Sequence, residues 1–249
     1  MGVLKGFMMS LGMFSILPVP KSSWNERYMP LLIPSLPLVG IVIGFIWYGL
    51  AFGLAKTSVP LLIQSTVILF TPFVLSGFIH TDGYMDTADA VFSRRDLAEK
   101  KRILKDPNVG VFAVFAIVVL LLFQFSAVHT ILSAQKELLV FAFIPAISRC
   151  VAGIAMLNLK PVFETGYNAM LRTNTKKQHT IFICVLACII LLTAWFILGL
   201  SSLPLSIGVL FGILATAYLY RQFFGLSGDL CGCIITISEC AALLCMALV

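Results

Sequence analysis

Charge is scarce in this sequence. Asp, Glu, Lys and Arg together make up 11% of its 249 residues, against about 25% in a typical soluble domain. Long polar stretches are missing too, and 60% of the chain is hydrophobic. This composition excludes an ordinary soluble domain and points to lipid as the main solvent. Histidine is limited to three residues, and none of the seven cysteines forms a Cys-x-x-Cys pair. Cys150, Cys184, Cys188, Cys231, Cys233, Cys240 and Cys245 all lie in or beside apolar runs. A zinc site or a disulfide framework is therefore not expected. The net charge of +6 is read as loop charge in a membrane protein, not as a nucleic-acid footprint. A cleavable leader is not expected either. Lys5 precedes the apolar stretch 6–19, but Pro18 and Pro20 follow where a small-x-small site would stand. Residues 1–20 read as a retained interfacial or re-entrant helix.

What is present is a series of apolar runs, at 31–55, 59–79, 109–132, 138–158, 180–199, 203–220 and 230–249. Each approaches the roughly 20 residues that a helix needs to cross a bilayer. Lipid cannot satisfy backbone polar groups, and the runs do not alternate as barrel strands would, so helices are required. The expected fold is all-α: about seven transmembrane helices plus the N-terminal helix, in one membrane-embedded catalytic domain over 1–249. Small-xxx-small spacings at Gly40/Gly44, Gly49/Gly53 and Gly208/Gly212 would allow close helix packing.

The basic residues set the orientation. Thirteen of the 17 Lys and Arg fall in one alternating set of loops, 18–30, 80–108, 159–179 and 221–229. Lys56 and Lys136 are the only two in the opposite set, while Lys5 and Arg149 lie outside both. The positive-inside rule places the rich set in the cytoplasm. The same loops carry most of the Asp, Glu and His.

The segment 77–110 carries the chemistry. It contains His80-Thr-Asp82-Gly83-Tyr-Met-Asp86-Thr87-Ala-Asp89. Asp82, Asp86 and Asp89 are spaced i, i+4, i+7 and share one face of a helix. His80 need not share it. Three carboxylates on one face repel unless a cation neutralises them, and hard oxygen donors suit Mg²⁺, Mn²⁺ or Ca²⁺. A stretch with Arg94, Arg95, Lys100, Lys101, Arg102 and Lys105 follows. Carboxylates with a divalent cation, set beside Arg and Lys, are the parts needed to hold a diphosphate while phosphorus is attacked. Asp106 reads either as a cap or as a further site carboxylate. Arg149 lies inside a span, where an ionisable group takes a functional or paired role. Glu239, about 15 Å into the last helix, is its expected partner. Gly225, Gly228 and Gly232 would let backbone approach a ligand closely, and Asp229 reads as a cap of the last helix or a site residue.

These residues resemble the cobalamin synthase (adenosylcobinamide-GDP ribazoletransferase) family. The stretch His80 to Asp89 is similar to its H-x-D-G-x-x-D-T-x-D signature. Leu104-Lys-Asp106 through Gly110, Pro145-Ala-Ile-Ser-Arg149, and Gly225-Leu-Ser-Gly228-Asp229 with Gly232 and Ser238-Glu239 follow in the family's order. Phe14-Ser-Ile-Leu-Pro18-Val-Pro20 and Pro37-Leu-Val-Gly40 extend the likeness over nearly the whole chain. Two positions depart from it: Thr236 stands where a glutamate is frequent, and Lys160-Pro-Val-Phe-Glu-Thr-Gly166 replaces an Arg-Gly element.

The resemblance implies a reaction in which a hydroxyl of α-ribazole, or of its 5′-phosphate, attacks the diphosphate of adenosylcobinamide-GDP and GMP leaves. It implies Mg²⁺ held by Asp82, Asp86 and Asp89, with one of these or His80 taking the hydroxyl proton. Arg94, Arg95 and Lys105 would balance phosphate charge; Asp106, Arg149, Gly225, Gly228, Asp229 and Glu239 would support the substrates. It also implies a multi-pass protein of a prokaryotic inner (plasma) membrane, surrounded by lipid, with no nucleic-acid partner and with self-association left open. Two rivals fit less well. The CDP-alcohol phosphotransferase signature needs Ala-Arg two residues beyond Asp-Gly, where this chain has Asp86-Thr87. A transporter would carry its carboxylates at mid-membrane on broken helices, not crowded at one cytoplasmic edge.

Overall fold

The computed structural model describes residues 2–20, 24–163 and 177–249. Within them the chain is helical. In order come α1 (Gly2–Phe14), a 3₁₀ turn (Glu26–Leu31), α2 (Leu36–Leu54), α3 (Leu61–Leu75), α4 (Ile79–Phe92), α5 (Leu97–Ile103) and α6 (Val111–Ser133). A 3₁₀ turn (Leu138–Ala142) then leads into α7 (Ile144–Asn158), followed by α8 (Lys177–Leu198), α9 (Leu203–Phe223) and α10 (Gly228–Leu248). Gly166, Arg172 and Lys176 of the third basic loop, and Lys21 of the first, lie outside the described residues.

Helices α2, α6 and α10 and the run Leu138–Asn158 are each long and apolar enough to cross a membrane. The run Lys177–Phe223 has 47 residues, about 70 Å if straight, so it cannot be one crossing. It turns back at Gly199, whose φ of +55° suits a residue without Cβ. Packing on α7 confirms the reversal. Asn158 bonds to Thr180 at 3.1 Å and Ile147 clusters with Ile190, so α8 runs antiparallel to α7. Val151 lies against Gly212, and Leu219 shares a buried cluster with Met156, so α9 returns beside it. The chain is a multi-pass helical membrane protein, as expected.

The second expected span, 59–79, is corrected. Helix α3 has only 15 residues, and the chain bends by 89° between α3 and α4. The cause is local. Phe78 N–H donates to Phe73 O, and Gly77 N–H to Val74 O, both at 2.9 Å. This is a Schellman stop with Gly77 left-handed at φ +61°. The region expected as a loop thus becomes α4, which leaves the bundle direction and carries the acidic motif.

The loops alternate between two ends. Lys136, Leu200 and Met246 border one cleft, and Ala55, Gln64 and Lys136 border its neighbour. The sparsely charged loops therefore gather at one end, and α4 with the basic loops lies at the other.

Two features hold the frame. Gly40 and Gly44 of α2 meet the backbone of Pro145 and Ala142 so closely that a Cβ on either would overlap it. Gly208 and Gly212 likewise face Ser238, whereas Gly49 and Gly53 meet nothing. The second feature is the buried ion pair. Arg149 Nη1 donates to Glu239 Oε1 at 2.8 Å and to Pro145 O at 2.9 Å, and Ser148 Oγ donates to Glu239 Oε1 at 2.9 Å. The pairing inferred from sequence is present and clamps α7 to α10.

Removing one partner strands a buried charge, which costs about 3–5 kcal/mol. Glu239→Ala is expected to lower the thermal unfolding midpoint in detergent strongly, and Arg149→Met with Glu239→Met to recover most of the loss. A double variant as unstable as the single one would show that the Ser148 and Pro145 contacts, not the charges, hold the joint.

Candidate active site

Helix α4 starts from the bend and is pressed between α6 and α10. Its inner side is small: Thr81, Gly83, Thr87, Ala88 and Ala90 are buried. At Gly83 a Cβ would stand 2.6 Å from Asp229 O, and at Gly232 one would stand 3.0 Å from His80 O. The two helices therefore touch backbone to backbone. Thr236 Oγ1 adds a bond of 3.3 Å to His80 O while also donating to Gly232 O at 3.0 Å. Gly232 thus accommodates α4 itself. Gly225 accommodates the chain as well: a Cβ there would meet the Pro161 backbone at 2.8 Å. That approach comes from a short bridge in which Leu226 N–H donates to Lys160 O at 2.8 Å and Val162 N–H to Leu226 O at 2.9 Å. The close approach expected of a ligand at these two glycines is made by the protein's own backbone. Gly228 is exposed and opens α10.

The opposite side of α4 is acidic. Asp82 is exposed, and Asp86 and Asp89 are half-buried. Asp229 joins them from the first turn of α10, brought in by the Gly83 contact. It does not cap that helix. Ser227 does, accepting from Leu230 N–H at 3.3 Å, while its hydroxyl also donates to Asp229 Oδ2 at 3.3 Å. Burial, and then the charges of Asp82, Asp229 and Asp89, push the Asp86 carboxyl up to about 6. Gly110, the cap residue of α6, faces Asp89 so closely that any Cβ would overlap its carboxylate.

Among the described residues, no three His, Cys, Asp or Glu side chains stand close enough to enclose an ion by themselves. The donors fit a cation bound by one or two carboxylates with phosphate oxygens and water completing its shell, which is the habit of Mg²⁺.

The other expected residues are distributed differently. His80 turns inward, stacks on Phe14 with ring centroids 6.4 Å apart, and leaves Nε2 buried without a hydrogen-bond partner. Burial, then the charge of Arg149, hold its imidazole well below the usual 6.5, so it is neutral. Arg94 and Arg95 are exposed just beyond the far end of α4. Lys105 lies 3.9 Å over the Phe163 ring. Asp106 accepts from Asn108 N–H at 3.0 Å and from Arg102 at 3.3 Å; it forms a turn ahead of α6 and does not cap that helix, whose cap residue is Gly110. Arg149 and Glu239 are spent on each other, beneath the acidic face.

Sequence reasoning missed three things. Asp96 caps α5 by accepting from Glu99 N–H at 2.9 Å, a signal readable as Asp-x-x-Glu before a helix. Lys100 Nζ donates to Gln222 Oε1 at 2.6 Å, tying α5 to α9. And an open cleft of about 450 Å³ lies between the end of α1 and the start of α4, with Met13, Ser15, Phe78, Ile79 and Asp82 on its walls; no local motif announces it.

Residues 6–247 match the family model described as cobalamin-5-phosphate synthase. Similar proteins include an adenosylcobinamide-GDP ribazoletransferase of Clostridium perfringens (strain 13 / Type A), 33% identical over 247 residues and covering 98% of each chain. The protein of that name in Clostridium botulinum (strain Alaska E43 / Type E3) is 33% identical over 97% of this chain and 96% of its own. That of Geobacillus sp. (strain WCH70) is 30% identical over 91% and 89%. No solved structure matches the chain.

The raised Asp86 carboxyl has a measurable consequence without metal. The folded state holds the proton more tightly than the unfolded chain between the ordinary aspartate value of 3.8 and about 6. Its contribution is therefore stabilising at low pH and is lost as pH rises through about 6. Asp86→Asn removes the penalty. In chelator at about pH 7.5, the variant is expected to unfold at a higher temperature than wild type, with the gap closing toward pH 3.8. A wild type that stays the more stable at neutral pH would show that the acidic face is not self-repelling.

Proposed function

The chain belongs to the cobalamin-5-phosphate synthase family, and from that membership we infer that it is an adenosylcobinamide-GDP ribazoletransferase, the last coupling step in building the nucleotide loop of cobalamin. Its substrates are adenosylcobinamide-GDP and a ribazole, free or as the 5′-phosphate. A ribazole hydroxyl attacks phosphorus of the diphosphate. A P–O bond forms to the ribazole, the P–O bond to GMP breaks, and the hydroxyl proton passes to a base.

The observation that carries the chemistry is the meeting of Asp82, Asp86 and Asp89 with Asp229 at the α4–α10 contact. Four carboxylates gathered at a membrane edge call for positive charge. We assign Mg²⁺ to this face, where one or two of Asp82, Asp86 and Asp89 would hold it together with the substrate's diphosphate. When bound, the ion neutralises phosphate charge and eases the departure of GMP. A carboxylate of the open face is the better proton acceptor, because His80 Nε2 is enclosed on the inner side. His80 then serves to seat α4 against α1. Arg94 and Arg95, at the far end of the acidic face, are placed to take the diphosphate's remaining charge. Lys105 needs to leave Phe163 to do the same. Asp229 shares the acidic face, while Arg149 and Glu239 hold its foundation. The concentration of Lys and Arg at the same end supports a cytoplasmic site.

Asp82→Ala and Asp86→Ala are each expected to abolish GMP release while the protein still inserts and elutes as a single folded species. Near-normal turnover would remove the metal assignment. With wild type, GMP release should require both ribazole and Mg²⁺ and stop in chelator. Release without ribazole would point to hydrolysis, and release in chelator would remove the metal.

A further inference from the structure

The reading of the chain as a ribazole transferase leaves unassigned the cleft at the start of α4. This cleft, about 450 Å³, falls within the roughly 300–1,000 Å³ of small-molecule sites. Met13, Phe78 and Ile79 give it apolar walls, Ser15 a hydroxyl, and Asp82 opens it onto the acidic face. Among the described residues it has no cationic lining residue.

Phe78 is the unusual member. Its backbone is left-handed, φ +61° and ψ 2°, a region that bulky L residues avoid because Cβ crowds the backbone. The helix stop does not account for the residue type. Gly77 provides the left-handed turn of the Schellman pattern, and Phe78 contributes backbone groups alone, its N–H to Phe73 O and, as the cap residue of α4, its carbonyl to Asp82 N–H. Glycine would make the same bonds without strain. Nor does packing account for it: Phe78 is 49% exposed, and among the described residues no other ring stacks on it. A strained, half-exposed aromatic beside a functional carboxylate is a residue held for contact with something else.

The charge layout says which substrate portion fits. From Asp82 to Phe92 the helix runs about 15 Å, with Arg94 and Arg95 just beyond its far end. The diphosphate belongs toward the cations. The cleft at the other end, apolar except for Ser15, Ser76 and the Asp82 carboxylate at its edge, suits a flat, neutral ring. Ribazole carries such a ring, a benzimidazole, on a ribose whose hydroxyl must reach the acidic face that Asp82 begins. We propose that this cleft binds the base of the attacking ribazole, with the Phe78 ring as its stacking face. It rests on the transferase reading above, and it makes Phe78 a determinant of ribazole affinity.

The test is steady-state transfer by the full-length protein in detergent, varying ribazole and adenosylcobinamide-GDP separately, with equilibrium dialysis of ribazole run beside it in the presence of Mg²⁺ and GMP. Phe78→Gly keeps the left-handed backbone and is expected to fold at least as well as wild type. Its KM and Kd for ribazole should rise about tenfold or more, the loss expected when a base-stacking aromatic is removed. KM for adenosylcobinamide-GDP and kcat should stay unchanged, and Phe78→Trp should retain wild-type ribazole affinity. An unchanged ribazole Kd in folded Phe78→Gly, or a rise in KM for adenosylcobinamide-GDP instead, overturns the assignment. Wild type that binds ribazole through Phe78 yet transfers nothing would overturn the transferase reading and leave the cleft standing. Wild type that does not bind ribazole would overturn the cleft.

Discussion

Two glycines, one on each helix, let α4 and α10 meet with no side chain between them. Gly83 rests on the Asp229 backbone and Gly232 on that of His80. Everything distinctive about the site follows from this contact. It brings Asp229 to a face whose three aspartates already repel one another. It presses His80 inward, where the imidazole is neutral. It turns the acidic outer side of α4 toward open space. A Cβ at either glycine would push the helices apart and separate the fourth carboxylate from the other three.

That contact needs a fixed platform, and the buried ion pair supplies it. Glu239 lies one helical turn beyond Thr236, which bonds to the start of α4. Arg149 joins Glu239 to α7, and α7 in turn meets α2 through Gly40 and Gly44. In lipid, helices gain little from hydrophobic association alone, so close backbone packing and polar pairs take on that work.

The bend between α3 and α4 decides where the acidic face stands. A straight helix through 59–92 would have carried the aspartates along the bundle. The 89° turn lays them across its end. The acidic face then stands at the end of the bundle, clear of its apolar sides. The N-terminal helix reaches the same place, with Ile16 N–H donating to Leu75 O at 2.9 Å and Phe14 stacked on His80. It is a wall of the site as much as a membrane element.

Much of this was legible in sequence. Apolar length and scarce charge require a polytopic helical protein, because lipid admits no other backbone arrangement. The i, i+4, i+7 spacing of Asp82, Asp86 and Asp89 puts three carboxylates on one face of any helix that contains them. An arginine and a glutamate inside spans must find each other, since neither charge is tolerated alone. The rest depends on which surfaces meet. Gly225 and Gly232 read equally well as ligand contacts or as packing contacts, and only the neighbouring backbone decides. Asp229 read equally well as a cap or as a site residue, and Ser227 took the cap. His80 and Asp82 are two residues apart, yet helical rotation sends one inward and the other out. The cleft beside Phe78 joins residues more than sixty positions apart. Local spacing follows from covalent geometry and is written in the chain. Proximity between distant segments follows from packing, and tertiary structure alone decides it.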